Sequence, residues 1–297
     1  MPYFQSALAR GAQTVRLRLY SPAMGRPFLK MNGLGNDFVV VETANDPFDP
    51  TRDQVRGWAD RETGVGFDQL IAISRDDGQP FVRFWNADGD PVSACGNGSR
   101  CVGWLLMEAS GQDQAQFRTP AGALHASRAG ERRVTVDMGE PRLDWRQIPL
   151  SEEMDTARVE LQIGPIDHPR MHTPVCVSMG NPHVVFFVDD IAMVDPTKDG
   201  PLIEHHPLFP EGVNVGFAQV LSRDRIRLRV WERGAGLTQA CGTGACAALV
   251  AAVRRGLTDR KATMSLDGGE LEIEWRESDG HVLMTGAVSL DFTGNLP

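Results

Sequence analysis

The sequence has no apolar stretch that is long enough to cross a membrane. The longest near-apolar run, residues 245–253, is about half of what a spanning helix requires. Basic residues are not in excess either: 30 lysines and arginines stand against 39 acidic residues, and the formal net charge is −9. This balance disfavours nucleic acid and anionic membranes as partners.

Cysteine is scarce, with five residues at positions 95, 101, 176, 241 and 246. An odd number in a chain of 297 residues favours free thiols and a cytoplasmic location over a disulfide framework. The hydrophobic content of 41% and the charged content of 23% are those of an ordinary globular protein. On length alone, two domains of about 150 residues are expected.

The first 30 residues contain five basic residues and no acidic residue. This composition is typical of a transit-type targeting segment. The alternative, which we favour, is a mis-assigned start, with translation beginning at Met24. In either case residues 1–26 are predicted to be a basic leader, disordered or not native, with no part in the chemistry.

The chain contains an internal duplication. The stretch ACGNGSRC at 94–101 returns as ACGTGACA at 240–247, and Trp85 and Trp231 keep the same spacing of 146 residues. Several strand-like stretches match at similar offsets. A single Gly-rich turn behind a cysteine would be a weak signal, but its repetition at half the chain length indicates duplicated halves with paired chemistry.

Each half is predicted to be strand-rich around one helix. An apolar helix follows the Gly-rich turn both times, and the second, at 245–253, carries small apolar residues all round, which requires burial on every side. We therefore predict an α+β fold of two pseudo-symmetric halves, 27–147 and 148–297, each a mainly antiparallel sheet or barrel wrapped around a central helix.

Cys95 and Cys241 each stand at the start of one of these helices. Unpaired backbone N–H groups and the helix dipole favour a thiolate there, and they also attract an anion such as a carboxylate. Two such helix starts provide two bases for one bound carboxylate. The arrangement suits removal of a proton α to the carboxylate from one face and reprotonation from the other, without a cofactor.

The other thiols and two rival site types fit the pattern less well. Cys101 and Cys246 lie inside the helices and Cys176 alternates with valines, so all three are predicted to pack in the core. No histidine lies near the paired cysteines, which disfavours a zinc site, and no metal is predicted. The segment GTGACA fits a dinucleotide fingerprint, but no acidic residue closes a clear strand beyond it, and no P-loop lysine is near.

A set of polar residues stands near Gly-rich turns at predicted strand ends. The amides could bind the ammonium and carboxylate groups of an amino acid, or they could simply form turns. Glu232 and Arg233 precede Cys241 by nine and eight residues, and Asn86 takes the matching place before Cys95. His183 could tune the pKa of a cysteine or cap a turn. The amides of this set are Asn36, Gln69, Asn86, Asn181 and Asn214.

Taken together, these motifs resemble those of the diaminopimelate epimerases, a family that works without pyridoxal phosphate. The resemblance covers about residues 28–292. The motifs that carry it, in family order, are MNGLGNDFVVVE (31–42), GFDQ (66–69), NADG (86–89), CGNGSRC (95–101), GNPH (180–183), GVNVGF (212–217), WERGAG (231–236) and ACGTGACA (240–247).

The resemblance implies the interconversion of L,L- and meso-diaminopimelate, in the synthesis of lysine and of peptidoglycan precursors, with no cofactor. It implies an active site in the cleft between the two halves, with Cys95 as base and Cys241 as acid, and with His183 and Glu232 tuning the thiols. It also implies a set of substrate contacts. These are Asn36, Gln69, Asn86, Gly96, Asn97, Asn181, Asn214, Glu232, Arg233, Gly242 and Thr243.

Two alternatives remain at this stage. A proline or hydroxyproline racemase has the same fold and cysteine pair, although a two-ended polar set suits a substrate with a second amino-acid terminus. A thiol-based redox or ligand-binding module would use the symmetric cysteines only to form a disulfide. The expected partner is a small molecule, with neither nucleic acid nor membrane, and a homodimer is the assembly that we consider.

Overall fold

A computed structural model describes residues 25–43 and 48–297. The described residues divide into two compact units, one formed by those up to Val136 together with Thr285–Pro297, the other by Asp137–Met284. The sequence placed the boundary at 147/148 and gave the whole C-terminus to the second half. The difference arises because the last strand, Ser289–Leu296, pairs with the first, Arg26–Gly33. A local sequence pattern does not predict such a long-range pairing.

Within the described residues, the first unit consists of strands and two helices. Its second helix follows the first Gly-rich turn, as the sequence predicted. The elements are β1 (Arg26–Gly33), β2 (Asn36–Glu42), α1 (Arg52–Ala59), β3 (Gln69–Asp76), β4 (Gln79–Asn86), β5 (Pro91–Val92), α2 (Gly96–Ser110), β6 (Gln114–Thr119), β7 (Gly122–Gly130) and β8 (Arg133–Asp137).

The remaining elements belong to the second unit, with two exceptions. Strand β18 begins in the second unit and ends in the first, and β19 belongs to the first. They are β9 (Gln162–Ile163), β10 (Met171–His172), β11 (Val175–Ser178), β12 (Pro182–Phe187), a 3₁₀ turn (Ile191–Met193), α3 (Pro196–Glu204), β13 (Asn214–Ser222), β14 (Arg225–Glu232), β15 (Gly236–Thr238), α4 (Gly242–Arg254), β16 (Lys261–Leu266), β17 (Gly269–Trp275), β18 (Val282–Ala287) and β19 (Ser289–Leu296).

The two units repeat one order of strand pairing. In the first, β1–β2 is antiparallel, β2–β3 parallel, β3–β4 and β4–β5 antiparallel, β4–β6 parallel and β6–β7 antiparallel. In the second, β11–β12, β12–β13, β13–β14, β14–β15, β14–β16 and β16–β17 follow the same sequence of directions. This agreement confirms the pseudo-symmetric α+β fold.

Each unit buries one long helix among its strands. In α2, residues 97–107 are buried without interruption, and in α4 residues 244–252 are. Strands β1, β6 and β7 contact α2, while β11–β14, β16 and β17 contact α4. A helix that is covered on all faces gains little from amphipathicity, which is why small and apolar residues occur all round it.

The ends of the chain add two observations. The predicted leader at 1–26 lies outside the described residues up to position 24, whereas Arg26 opens β1 and pairs with Leu296 of β19. Within the part of the chain that the structure describes, no helix has the length and apolar character that crossing a membrane requires.

Candidate active site

The two predicted catalytic thiols have the same local geometry. Cys95 and Cys241 are the N-cap residues of α2 and α4, both in the extended backbone region. The Cys95 Sγ accepts a hydrogen bond from the Gly98 N–H at 3.4 Å, and the Cys241 Sγ accepts one from the Gly244 N–H at 3.3 Å. Each sulfur therefore takes the place that an oxygen acceptor usually occupies at a helix N-terminus.

The glycines at the third helical position leave little room for a side chain. A Cβ at Gly98 would lie 3.0 Å from Ile71 and Phe84, and one at Gly244 would lie 3.0 Å from Val230 and 3.2 Å from the Cys241 Sγ. Strand side chains thus approach each helix start closely, and a glycine at this position fits without displacing them.

In the first unit, α2 is joined to the β1–β2 hairpin through two amides. Asn97 Nδ2 donates to Asn36 Oδ1 at 2.5 Å, and Arg100 Nη1 donates to Asn97 Oδ1 at 2.9 Å. The hairpin turn itself, Leu34 and Gly35, has positive φ at both residues, as a two-residue type I′ turn requires. These bonds orient Asn36 so that its Nδ2 can donate to a ligand.

Gln69 and Asn86 form a second amide pair in this unit. They lie opposite each other at the ends of β3 and β4, and Gln69 Nε2 donates to Asn86 Oδ1 at 2.8 Å. The Gln69 Oε1 atom is buried and has no hydrogen-bond partner among the described residues. Because an unpaired buried acceptor is costly, this oxygen points to a ligand that carries an N–H or O–H donor.

In the second unit, Asn181 stands between a histidine and the helix start. Its Nδ2 donates to Thr243 Oγ1 at 3.3 Å, and its Oδ1 lies 3.0 Å from His183 Nε2. His183 is 1% exposed, and burial, followed by the Arg233 charge, lowers its pKa to about 3. His183 is thus a neutral imidazole that orients Asn181, and among the described residues it has no other side-chain hydrogen bond.

Asn214 connects two strand ends. Its Nδ2 donates to the Pro182 carbonyl at 2.8 Å, and its Oδ1 accepts from the Arg233 N–H at 3.0 Å. The exposed Arg233 side chain donates through Nη1 to the Glu211 carbonyl at 2.8 Å, and its other guanidinium donors have no partner among the described residues. Asn214 therefore acts through its neighbours, while Arg233 offers a cation to a ligand.

Glu232 lies beside Cys241 and shapes its electrostatics. Burial raises the pKa of the Cys241 thiol well above its ordinary value, and the Glu232 charge adds to this, while bonds from Thr243 and Gly244 oppose it. Burial likewise raises the pKa of Glu232, against the hydrogen bonds from Thr238, at 2.6 Å, and from Cys241. Cys241, which is 4% exposed, is accordingly a protonated thiol at neutral pH.

The remaining thiols are core residues. Cys101 is fully buried, its Sγ lies 3.8 Å from the Asn32 carbonyl, and burial raises its pKa to about 12. Cys176 and Cys246 are equally inaccessible, and burial raises the pKa of Cys176 strongly. Among the described residues, no group of three or more His, Cys, Asp or Glu side chains is placed to hold a metal ion.

Sequence reasoning missed two residues that hold the second half of the site. Thr238 donates to Glu232, and Glu204 accepts from Trp231 Nε1 at 2.7 Å and from the Gly234 N–H at 2.9 Å. Neither belongs to a recognisable motif, and Glu204 lies 28 residues before Glu232 in the chain. For Glu204, the one feature that could have drawn attention to it is its position at the end of the helix Pro196–Glu204.

Comparison with known proteins identifies the family. Residues 28–143 and 175–290 match the family model described as diaminopimelate epimerase. A diaminopimelate epimerase from Phenylobacterium zucineum is 66% identical over 279 residues, covering 93% of this chain and 100% of the relative. One from Caulobacter vibrioides is 64% identical over 283 residues, covering 92% of this chain and 98% of the relative. The chain belongs to the diaminopimelate epimerase family.

This membership confirms the resemblance seen in the motifs. Among solved structures, a protein from Pseudomonas aeruginosa described as a predicted epimerase matches with a TM-score of 0.64 at 19% identity, covering 91% of this chain and 99% of its own. A hydroxyproline epimerase from Agrobacterium vitis matches with a TM-score of 0.63 at 16% identity, covering 90% and 91%. At such identities the likeness concerns the fold alone, and the fold of the diaminopimelate epimerase family is thus one that other epimerases also have.

Proposed function

We propose that this protein interconverts L,L- and meso-diaminopimelate by moving the α-proton, with two cysteines as the only acid and base and with no cofactor. The observation that carries the proposal is the pair of matched thiol caps. Cys95 and Cys241 each cap a buried helix, and each accepts a bond from the glycine at the third helical position. Membership of the diaminopimelate epimerase family supports the choice of substrate.

In the proposed reaction, the Cys95 thiolate removes the α-hydrogen as a proton and becomes a thiol. The electron pair of the broken C–H bond remains on the substrate and is delocalised into its carboxylate. Cys241, held as a thiol by burial beside Glu232, then gives its proton to the opposite face of the α-carbon. The enzyme form that remains has its roles exchanged and accepts the other epimer.

The binding roles are assigned to the two helix starts and to two side chains, Gln69 and Arg233, that retain hydrogen-bonding capacity. The backbone N–H groups at Gly96–Asn97 and Gly242–Thr243, at the starts of the two helices, are assigned to the substrate carboxylate at the reacting centre. Arg233, whose guanidinium retains donors, suits a carboxylate, and the unpartnered Gln69 Oε1 suits an ammonium group. Diaminopimelate has an amino-acid group at each end and therefore carries two carboxylates and two ammonium groups.

The same proposal covers the cellular role. Diaminopimelate epimerisation belongs to lysine synthesis and to the supply of peptidoglycan precursors, which places the enzyme in the cytoplasm. The homodimer considered from the sequence stays a prediction, which light scattering of the purified chain would test.

Two alternatives are set against this assignment. A proline or hydroxyproline racemase needs no group for a second amino-acid terminus, so the Glu232–Arg233 pair and the amides would have no evident use there. A redox module would need neither a protonated, buried thiol nor spare donors for an anion. The chemistry of the polar set therefore favours diaminopimelate.

Proton exchange in deuterated water tests the proposal directly. The wild-type protein should interconvert L,L- and meso-diaminopimelate and introduce solvent deuterium at the α-carbon, while proline remains unchanged. Cys95→Ala and Cys241→Ala should each abolish turnover, whereas Cys101→Ala, which alters a buried thiol of the core, should retain it. Turnover of proline alone, or activity in either of the first two variants, would reject the assignment.

A further inference from the structure

Glu204, the last residue of α3, is a buried carboxylate whose partners are two neutral donors. It is 5% exposed. Its Oε2 accepts from the indole Nε1 of Trp231 at 2.7 Å, and its Oε1 accepts from the backbone N–H of Gly234 at 2.9 Å. His205 Nε2 lies farther away, at 3.9 Å, on an exposed side chain. Since burial of a carboxylate is costly, a structural reason for its position is required.

The helix that carries Glu204 is itself fixed in place. Asp199 is fully buried and accepts two hydrogen bonds from Arg170, at 3.0 and 2.7 Å. Gly200 lies directly against the indole of Trp231, because a Cβ there would lie 2.4 Å from the ring. Trp231 is thus packed on the helix at one end and hydrogen-bonded to Glu204 at the other.

The two partners of Glu204 flank Glu232 and Arg233 in the chain. Between them, the Arg233 N–H is bound by Asn214 Oδ1. The segment from Trp231 to Gly234 is therefore held at three points, and Gly234 takes a positive φ of 73° that ends it. These contacts fix the directions in which the Glu232 carboxylate and the Arg233 guanidinium leave the backbone.

In the first unit, a side chain of α1, the helix that corresponds to α3, holds the turn that corresponds to Glu232–Gly234. Arg52 of α1 donates through Nε to the Asp88 carbonyl at 3.0 Å and through Nη2 to Asp90 Oδ2 at 2.9 Å. Gly89, in this turn, lies directly against Arg52 of the helix, whereas in the second unit the glycine of the close contact, Gly200, belongs to the helix. This turn follows Asn86, the counterpart of Glu232. A helix side chain thus secures the same turn in both units, with opposite charge.

We propose that Glu204 is a positioning residue for the Glu232–Arg233 pair. This inference rests on the proposed function, in which that pair contacts the substrate. Glu204 itself does not touch the reacting atoms. It sets the direction of Arg233 for substrate binding and the direction of Glu232 beside Cys241.

The test is Glu204→Gln, which keeps the size of the side chain but replaces one acceptor oxygen with an NH₂ group facing an N–H donor. The KM for L,L-diaminopimelate should rise about tenfold, the size expected when the support of a binding group loses one oriented hydrogen bond. A merely structural role would lower the amount of active protein and the apparent kcat but would leave KM unchanged.

Glu108→Gln is the matched control, because it alters another poorly exposed carboxylate, which pairs with Arg128 at 2.9 Å and does not contact the turn. It should lower the thermal midpoint yet leave KM within about twofold of wild type. Trp231→Phe gives a second arm if Glu204→Gln does not accumulate, since it removes one donor and keeps a ring over Gly200, and it should also raise KM. An unchanged KM in Glu204→Gln, or in Trp231→Phe when that arm is used, would overturn the inference. Wild-type protein that is inactive on diaminopimelate would instead reject the proposed function.

Discussion

Asp37 and Asp68 are hydrogen-bonded to each other in both directions. The Asp37 N–H donates to the Asp68 carboxylate at 2.8 Å, and the Asp68 N–H donates to the Asp37 carbonyl at 2.9 Å. Arg61 spans the pair, with Nη1 on Asp37 at 2.9 Å and Nη2 on Asp68 at 2.8 Å. Each aspartate is the chain neighbour of a proposed substrate contact, Asn36 or Gln69, so this network holds both amides in register.

Replacement of Arg61 by alanine is expected to lower activity more than stability. The side chain is 58% exposed, and surface ion pairs contribute only about 0–1 kcal/mol to folding. Without the Arg61 guanidinium, Asp37 and Asp68 lose the side chain that bridges them, and the neighbouring Asn36 and Gln69 become less well positioned. Small misplacements near a reacting centre can lower rates by up to about 10²-fold. We expect kcat/KM for L,L-diaminopimelate to fall about tenfold.

Arg56→Ala is the control for this prediction. Arg56 is a similarly exposed arginine on α1 whose one ion pair within the described residues is with Asp53, at 3.8 Å. It should leave kcat/KM unchanged. Equal losses of kcat/KM in the two variants would show that the bridge from Arg61 to Asp37 and Asp68 has no specific role.

The alkaline limb of the rate profile should respond in opposite directions to two substitutions around Cys241. If Cys241 is the acid, activity falls as pH rises through the pKa of its thiol. Beyond the effect of burial, the Glu232 charge raises that pKa and the Thr243 hydrogen bond lowers it. Glu232→Gln should therefore move the alkaline limb to lower pH, and Thr243→Val should move it to higher pH.

The measurement is kcat against pH at saturating substrate, which separates this effect from altered binding. The limb should respond because it reports the titration of a group in the enzyme–substrate complex. Shifts of the same sign in both variants would contradict the role of Cys241 as the proton donor.

Two helical glycines should respond oppositely to alanine. Gly57, in α1, has open space where a Cβ would stand, so Gly57→Ala should stabilise the protein by about 0.5–1 kcal/mol. A Cβ at Gly103, in α2, would lie 2.5 Å from the Ala126 Cβ of β7. Overpacking of this kind costs about 1–3 kcal/mol, more than the propensity gain of about 1 kcal/mol.

Urea denaturation of both variants tests these signs, and a double mutant tests the cause. If the clash with Ala126 is responsible, Gly103→Ala combined with Ala126→Gly should recover part of the loss. Additive effects of the two substitutions would mean that the contact does not explain the result.

Much of the fold could be predicted because the duplicated motifs are local. The apolar helix expected after the first Gly-rich turn is observed at Gly96–Ser110. The sequence 51–64 also has helical spacing, with Val55, Trp58 and Ala59 on one face, but the observed helix ends at Ala59. There the Asp60 carboxylate accepts the backbone N–H groups of Glu62 and Thr63 and turns the chain. Such competition between a side chain and the helix is not visible in a hydrophobic pattern.

The candidate site could be proposed from the sequence only in part. Residues within motifs, such as Asn36 and Cys241, could be chosen from the sequence, because spacing and internal symmetry point to them. Their supports come from elements distant in the chain: Glu204 from α3 and Thr238 from β15. Pairing across a fold depends on three-dimensional packing, and no periodicity in the sequence encodes it.

His281 should make stability depend on pH. Its Nδ1 lies 2.9 Å from Asp137 Oδ1, and Arg276 and Asp279 complete the cluster around it. The hydrogen bond to Asp137 raises the pKa of His281 above its ordinary value, against a small effect of burial. The protonated imidazole is thus favoured in the folded state. Its stabilising contribution is fully present below the unfolded pKa and is lost as pH rises through the folded one.

The free energy of unfolding of wild type and His281→Gln should accordingly be compared at about pH 5.5 and about pH 8.5, on either side of the ordinary histidine pKa of about 6.5. Groups common to both proteins cancel in the difference, which should be larger at the lower pH. His172→Gln serves as control, because His172 bonds only to the Thr173 hydroxyl and faces no carboxylate in the described residues. A difference for His281→Gln that stays constant between the two pH values would show that the Asp137–His281 pair stabilises the fold by packing rather than by charge.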